Sequence, residues 1–149
     1  MTTKASSPWP KRSGRAYSFA DPSFARHTIA TWWTSEANLR SISQTTVFVA
    51  ESDAAIVGMG NIDHRPEVPV IWKLAVHPAH QSLGIGLRLL DRLIAEAAGK
   101  AVRLSYVEGN EQAAGFYRAY GFVPVDRTRP ERPGWPGEVV MEWRTARPL

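Results

Sequence analysis

A chain of 149 residues with 18 Lys and Arg against 14 Asp and Glu carries a formal charge of +4, and its length fits one domain with one real core. Cysteine is absent, which rules out a disulfide framework, a thiolate metal site and a cysteinyl intermediate in any group transfer. No apolar stretch approaches the ~18 residues of a membrane span, and Met1 to Pro10 lacks an apolar signal core, so the expectation is a soluble, cytoplasmic protein. A basic balance favours polyanions. Its excess is split between Lys4, Lys11, Arg12 and Arg15 at one end and Arg127, Arg129, Arg132, Arg144 and Arg147 at the other, which argues against nucleic acid and for a small polyanion held at one local site.

In chain order, Met1 to Arg15 is polar, rich in Ser and Pro and without period, and reads as a flexible arm ahead of a single domain over 16–149. Ala16 to Phe19 reads as a short strand. Asp21-Pro22 supplies an N-cap and a proline at the first helical position, and Phe24, Ile29, Trp32 and Trp33 share one face of a helix running to about Thr34. At that spacing the tryptophans read as core. A shorter helix follows over 35–42. Thr45–Glu51 and Ala55–Asp63 form an antiparallel hairpin about the turn Ser52-Asp53-Ala54. Gly58 and Gly60 weaken its second strand, marking either a bulge with tight packing or room for a ligand.

Val70 to Val76 is a run of mostly apolar and β-branched residues that reads as a buried strand. After Pro78 comes Gln81-Ser82-Leu83-Gly84-Ile85-Gly86, then a helix that turns Leu89, Leu90, Leu93, Ile94 and Ala97 inward and stops at Gly99-Lys100. Ala101–Val107 is a second strand parallel to the first, so 70–107 is one right-handed strand-helix-strand crossover. Asn110 caps a short helix, Glu111–Tyr120, closed by Gly121. Phe122–Val125 and Glu138–Trp143 make a final antiparallel pair joined by a loop over 127–137. The fold class is α/β with a mixed sheet, mostly antiparallel around the one crossover.

A glycine pair between a strand and a helix start is a place to bind an anion, because the first helical N–H groups have no intrahelical partner and no Cβ bars their approach to a phosphate. Two phosphate motifs are excluded. A P-loop needs Lys and Ser/Thr after its last glycine, where Leu87-Arg88 stands, and a dinucleotide fingerprint needs Gly or Ala at Leu89.

Gln81-x-x-Gly84-x-Gly86 after Leu74-Ala75-Val76-x-Pro78 resembles the acyl-CoA motif of the GNAT family of N-acetyltransferases. Asn110-x-x-Ala113-x-x-x-Tyr117-x-x-x-Gly121-Phe122 resembles the family's C-terminal motif, at the expected distance. The resemblance implies a splayed strand pair with a bulge and acetyl-CoA as co-substrate. Its diphosphate would lie on the N–H groups from Gln81 through Ser82, Leu83, Gly84 and Ile85 to Gly86. Its pantetheine arm would pair with the strand end Leu74-Ala75-Val76, the Val76 N–H would meet the thioester carbonyl, and Asn110, Ala113 and Phe116 would line the arm. Tyr117 would protonate the leaving thiolate, since a phenol of pKa ~10 keeps its proton at neutral pH. The activity implied is transfer of acetyl to a primary amine, small molecule or protein, in a ternary complex. Membrane is not a partner, and a homodimer is common in the family.

The general base is not carried over: relatives have a glutamate near the start of the central strand, where this chain has Val70. Asp63, His64 and Glu67 are the ionisable groups nearby. His77 and His80 flank the motif without a carboxylate cluster, so no metal is expected. Trp135 either borders the acceptor pocket or covers the core. A non-catalytic CoA-binding module and, behind it, a basic nucleic-acid-binding domain are the alternative readings.

Overall fold

Two helices, a hairpin, a crossover and a closing strand pair follow one another in the computed structural model, which describes residues 21–32 and 34–145. The expectations for Met1–Phe19, for Trp33 and for the Ile29 and Trp32 side chains lie outside the described residues. Helix α1 (Pro22–Trp32) starts where Asp21 Oδ1 accepts the Ser23 N–H at 2.7 Å. Helix α2 (Ser35–Gln44) starts where Thr34 Oγ1 accepts the Ala37 N–H at 3.1 Å. Each cap satisfies an N–H that helix geometry leaves without a partner.

The strands are β1 (Thr46–Ser52), β2 (Ala55–Asp63), β3 (Val70–Val76), β4 (Val102–Val107), β5 (Val123–Thr128) and β6 (Glu138–Trp143), in one sheet of order β1-β2-β3-β4-β6-β5. Every neighbouring pair is antiparallel except β3 with β4. The β1–β2 turn uses left-handed backbone at Asp53 and Ala54, with φ of 50° and 61°, the hand that matches strand twist in a two-residue loop. Helix α3 (Ile85–Glu96) makes the crossover, and α4 (Glu111–Tyr120) follows β4.

Helix α3 presents Leu89, Leu90, Leu93, Ile94 and, just past its end, Ala97 to one face of the sheet, where they pack with Ile62, Ile71, Val102, Leu104, Phe122, Val139 and Met141. Gly58 and Gly60 serve this contact. A Cβ on Gly60 would come within 2.7 Å of Leu93 Cδ1 and one on Gly58 within 3.0 Å of Leu89 Cδ1, so the two glycines let α3 lie close to β2. The opposite face carries α2, which packs on β1.

Strand β5 runs to Thr128 rather than stopping at Val125. Arg127 and Thr128 stay in the ladder opposite Val139 and Glu138, and Thr128 Oγ1 accepts the Glu138 N–H at 3.1 Å. The Pro, Gly and Arg content of 127–137 concealed those two positions because cross-strand pairing decides them. Leu93 is 0% exposed at the centre of the core, and Leu93→Ala is expected to cost ~2–5 kcal/mol by transfer and cavity terms. Urea unfolding checks this; a loss below ~1 kcal/mol would contradict the packing.

Candidate active site

Strands β3 and β4 are paired at only two positions, Val70 with Arg103 and Ile71 with Leu104. Beyond them the two strands part, while β3 stays paired with β2 up to Val76 and β4 stays paired with β6 up to Val107. The gap is therefore bounded by strands held firmly on their far sides.

The backbone on the β3 side of the gap has a definite polarity. The His77 N–H donates to Val57 O at 2.7 Å and the Lys73 N–H to Asn61 Oδ1 at 2.8 Å, both on β2. Strand alternation then turns Ala75 toward β2 as well and turns the main-chain groups of Leu74 and Val76 into the gap. Ala75 thus offers the gap no main-chain group. The Val76 carbonyl accepts from Gln81 Nε2 at 3.2 Å, so the Gln81 side chain folds back on the strand end.

A bulge lies at the start of this opening. Asn61 pairs with Lys73 and Ile62 with Ile71, which leaves Trp72 as the extra residue on β3. Asn61 Oδ1 fills the widened rung by accepting the Lys73 N–H. In such a bulge two successive side chains lie on one side of the sheet. Ile71 and Leu74 accordingly face α3, while Trp72 and Lys73 face away from it. The reading of 70–76 as continuously buried fails at Trp72, which is 60% exposed.

At the far end of β3, the chain turns through Pro78–His80 into α3. Gly84 is the N-cap of α3, with φ of 80° and no side-chain cap bond, and a Cβ there would meet nothing within 4 Å. The first N–H groups of α3 therefore have no side-chain cap, and they carry the positive end of the helix dipole. Ser82 also has positive φ, 67°, and Ser82 and Leu83 are exposed. Ile85 turns its side chain toward β2, its Cγ2 lying 3.2 Å from where a Gly58 Cβ would stand. A Cβ on Gly86 would lie 3.7 Å from both Phe116 Cζ and Val76 Cγ2, so strand end, helix start and α4 converge there. The Nδ1 of His80 is buried in the turn without a hydrogen-bond partner among the described residues. A polyanion with an amide-bearing arm fits this donor set.

Helix α4 brings the second motif to the same place. Asn110 Oδ1 caps it by accepting the Ala113 N–H at 3.1 Å. Phe116 and Tyr117 stack edge to face with centroids 5.4 Å apart, and Tyr117 packs on Phe122 at 5.7 Å. Burial pushes the Tyr117 phenol up to about 12, so it stays protonated at neutral pH. Tyr120 donates to Asp91 Oδ1 at 2.8 Å and ties α4 to α3.

Asp63 is buried, and its Oδ1 accepts the N–H and Nε of Arg65 at 3.0 and 2.9 Å. Its Oδ2 accepts Arg65 Nη2 at 2.8 Å and Trp72 Nε1 at 3.0 Å. The Arg65 hydrogen bonds hold its carboxyl below the usual carboxylate range, so it is a poor proton acceptor. His64 and Glu67 are exposed beside it. Glu142 is likewise held down, first by the Arg103 bond at 2.8 Å and then by Arg144. Glu138 differs: it is exposed, and partial desolvation with the nearby Glu131 raises its carboxyl. Lys73 is buried with Nζ donating to Asn38 Oδ1 of α2 at 2.9 Å, and burial lowers its pKa. Trp135 is buried, with its Nε1 donating to Ser23 Oγ at 2.9 Å and its ring 5.6 Å from Phe24, so the β5–β6 loop is fastened to α1.

Among these, Trp72, Lys73 and Asn38 escaped sequence reasoning. A Trp-Lys pair inside an apolar strand is the one signal that pointed to a break in alternation.

A family model described as an acetyltransferase (GNAT) domain matches residues 43–124. The chain is 34% identical over 84 residues to the N-alpha-acetyltransferase RimI of Mycobacterium tuberculosis, covering 54% of this chain and 53% of that one. It is 34% identical over 92 residues to the L-amino acid N-acyltransferase MnaT of Escherichia coli, covering 56% and 54%. The chain thus spans about half the length of these two relatives. Its fold is shared with PaiA N-acetyltransferase from Thermoplasma acidophilum, solved in complex with coenzyme A, at TM-score 0.73 and 18% identity over 91% of this chain and 87% of that one. It is also shared with an Elizabethkingia anophelis GNAT family acetyltransferase solved with acetyl-CoA bound, at TM-score 0.65 and 19% identity over 96% and 95%. No helix among the described residues is long and apolar enough to cross a membrane.

The buried phenol has a measurable consequence. An unfolded tyrosine ionises near pH 10, and Tyr117 in the fold near 12. Its contribution is therefore complete below pH ~10 and falls away as pH rises toward 12, at up to ~1.4 kcal/mol per pH unit. Urea unfolding from pH 8 to 11.5 should show a shallower alkaline decline for Tyr117→Phe than for the wild type, with the Tyr120 contribution common to both. Equal slopes would contradict a desolvated phenol.

Proposed function

The chain belongs to the GNAT acetyltransferase family, and from that premise we propose that it is an acetyl-CoA-dependent N-acetyltransferase that passes the acetyl group directly to a primary amine held in the same complex. The observation that carries the proposal is the parting of β3 from β4 beside an α3 N-terminus that has no side-chain cap.

Acetyl-CoA would supply an activated thioester and a diphosphate. The main-chain amides from Gln81 to Gly86 are the donors for the diphosphate, with the left-handed Gly84 keeping the helix start open. The gap-facing groups of Leu74 and Val76 take the pantetheine amides as a sheet edge takes an added strand, and the Val76 N–H polarises the thioester carbonyl. Asn110, Ala113 and Phe116 form the opposite wall. Tyr117 gives its proton to the departing sulfur as the amine nitrogen bonds to the carbonyl carbon and the carbon–sulfur bond breaks, and the proton that nitrogen sheds in becoming an amide restores the phenol. Its phenol is suited to this because it is protonated at neutral pH and held in place by its ring contacts with Phe116 and Phe122.

The amine must lose a proton to attack, since an ammonium has no lone pair. Asp63 and Glu142 are engaged by guanidinium groups. Glu138, beside Val107 at the open end of β4, is the carboxyl with raised proton affinity, and it is the group we assign to take that proton, through water. Positioning of both reactants supplies the larger share of the acceleration, so a relayed base suffices.

Calorimetry and thiol release in the presence of amines test the reading. Wild-type protein should bind acetyl-CoA, and Gly86→Glu should abolish binding by driving a charged side chain between Val76 and Phe116. Tyr117→Phe should keep the acetyl-CoA Kd within ~2-fold and lower kcat by ~100-fold, the lower range for general acid catalysis. Absence of wild-type binding contradicts the proposal. Binding without thiol release across the amines would make the chain a CoA-binding module instead.

A further inference from the structure

Trp72 combines three properties seldom found together. Its side chain is 60% exposed, its Nε1 is held at 3.0 Å by a carboxylate that is itself only 2% exposed, and it follows directly on Ile71, the last β3 residue paired with β4. An exposed indole ordinarily moves among rotamers and is hydrated at its N–H. Here Asp63 fixes the ring, and three bonds from Arg65 fix Asp63. The result is a pre-ordered aromatic surface at the apex of the opening, on the sheet face opposite α3.

That face is the side from which an acceptor can approach, because α3 and the core cover the other. The charges around the ring select among amines. Arg65 has a side chain 59% exposed. Arg103, opposite Val70 on β4, has one 45% exposed. Two carboxylates on this face, Asp63 and Glu142, are buried and already engaged by guanidinium groups, while Glu67 and Glu138 are exposed. A polycation would meet the exposed guanidinium groups of Arg65 and Arg103 on this face. A flat aromatic group would meet a rigid indole on which to stack.

Resting on the acetyltransferase reading above, we propose that Trp72 binds the acceptor, taking the planar aromatic group of an arylalkyl amine on its exposed indole surface, and that Asp63 and Arg65 are positioning residues for that ring. Stacking of this kind strengthens binding by about tenfold at most.

The test compares 2-phenylethylamine, n-butylamine and spermidine at saturating acetyl-CoA, with the acetyl-CoA Kd measured separately. The wild type should show a KM for phenylethylamine ~10-fold below that for butylamine. Trp72→Leu, which keeps bulk without a π-face, should bring the ratio near one, whereas Trp72→Phe should keep most of it, and Asp63→Asn should fall between, all with the acetyl-CoA Kd within ~2-fold of wild type. The Leu and Phe variants are compared because both retain an apolar side chain at the bulge, so a general loss of folding would strike them alike. An unchanged ratio in Trp72→Leu overturns the proposal, as does a preference for spermidine. Acetyl-CoA binding with no amine acetylated overturns it while sparing the donor site; loss of acetyl-CoA binding in the wild type overturns the acetyltransferase reading as well.

Discussion

Two parallel strands at the centre of the sheet share a ladder at two register positions and then separate, which leaves the gap-facing main-chain groups of Leu74 and Val76 without a strand to pair with. Buried backbone donors and acceptors are costly to leave unmet. The rest of the molecule is arranged so that this opening persists. Strand β3 is anchored to β2 along its whole length and β4 to β6 along its own. Helix α3 is drawn onto β2 by the two glycines that admit Leu89 and Leu93. The gap cannot close without breaking one of these contacts.

The two faces of the opening differ in chemistry. On the α3 side stand the uncapped helix start, Phe116 and the protonated Tyr117 phenol, a set suited to an anion, an extended amide arm and a leaving group that needs a proton. On the other side the bulge brings out Trp72 and Lys73, where ionic contacts fasten the surroundings: Asp63 to Arg65, Glu142 to Arg103, and Lys73 to Asn38 of α2. These buried groups fix geometry more than they add stability, since a buried ion pair largely offsets its own desolvation. Lys73 adjoins the gap-facing Leu74 and reaches α2, so the donor strand and a helix on the opposite face are one connected unit.

Much of this was legible in the sequence because it depends on local rules. The caps at Asp21 and Asn110 and the inward stripe Leu89, Leu90, Leu93, Ile94 and Ala97 follow from residue type and a 3.6-residue period. Strands β2 and β3 begin and end where alternation and apolar runs place them. The glycine pair and the Asn110–Phe122 frame pointed to the site through resemblance to a family. What could not be read is what pairing decides. A single extra residue at position 72 turns a side chain from core to solvent, and only the Trp72-Lys73 pair inside an apolar run hints at it. Asp63 looked like an available carboxylate because its neutralisation requires Arg65 and Trp72 to converge in three dimensions. Strand β5 runs three positions past the expected end at Val125, because Thr128 is held by β6.

If the gap-facing amides of β3 are the ligand's partners, residue-resolved amide hydrogen exchange with and without acetyl-CoA registers it at those residues. Acetyl-CoA is expected to slow exchange at Leu74, Val76, Ile85 and Gly86, and to leave Lys73 and His77, already bonded toward β2, unchanged. Slowing confined to other segments, with Leu74 and Val76 exchanging as fast as in the ligand-free protein, would contradict it.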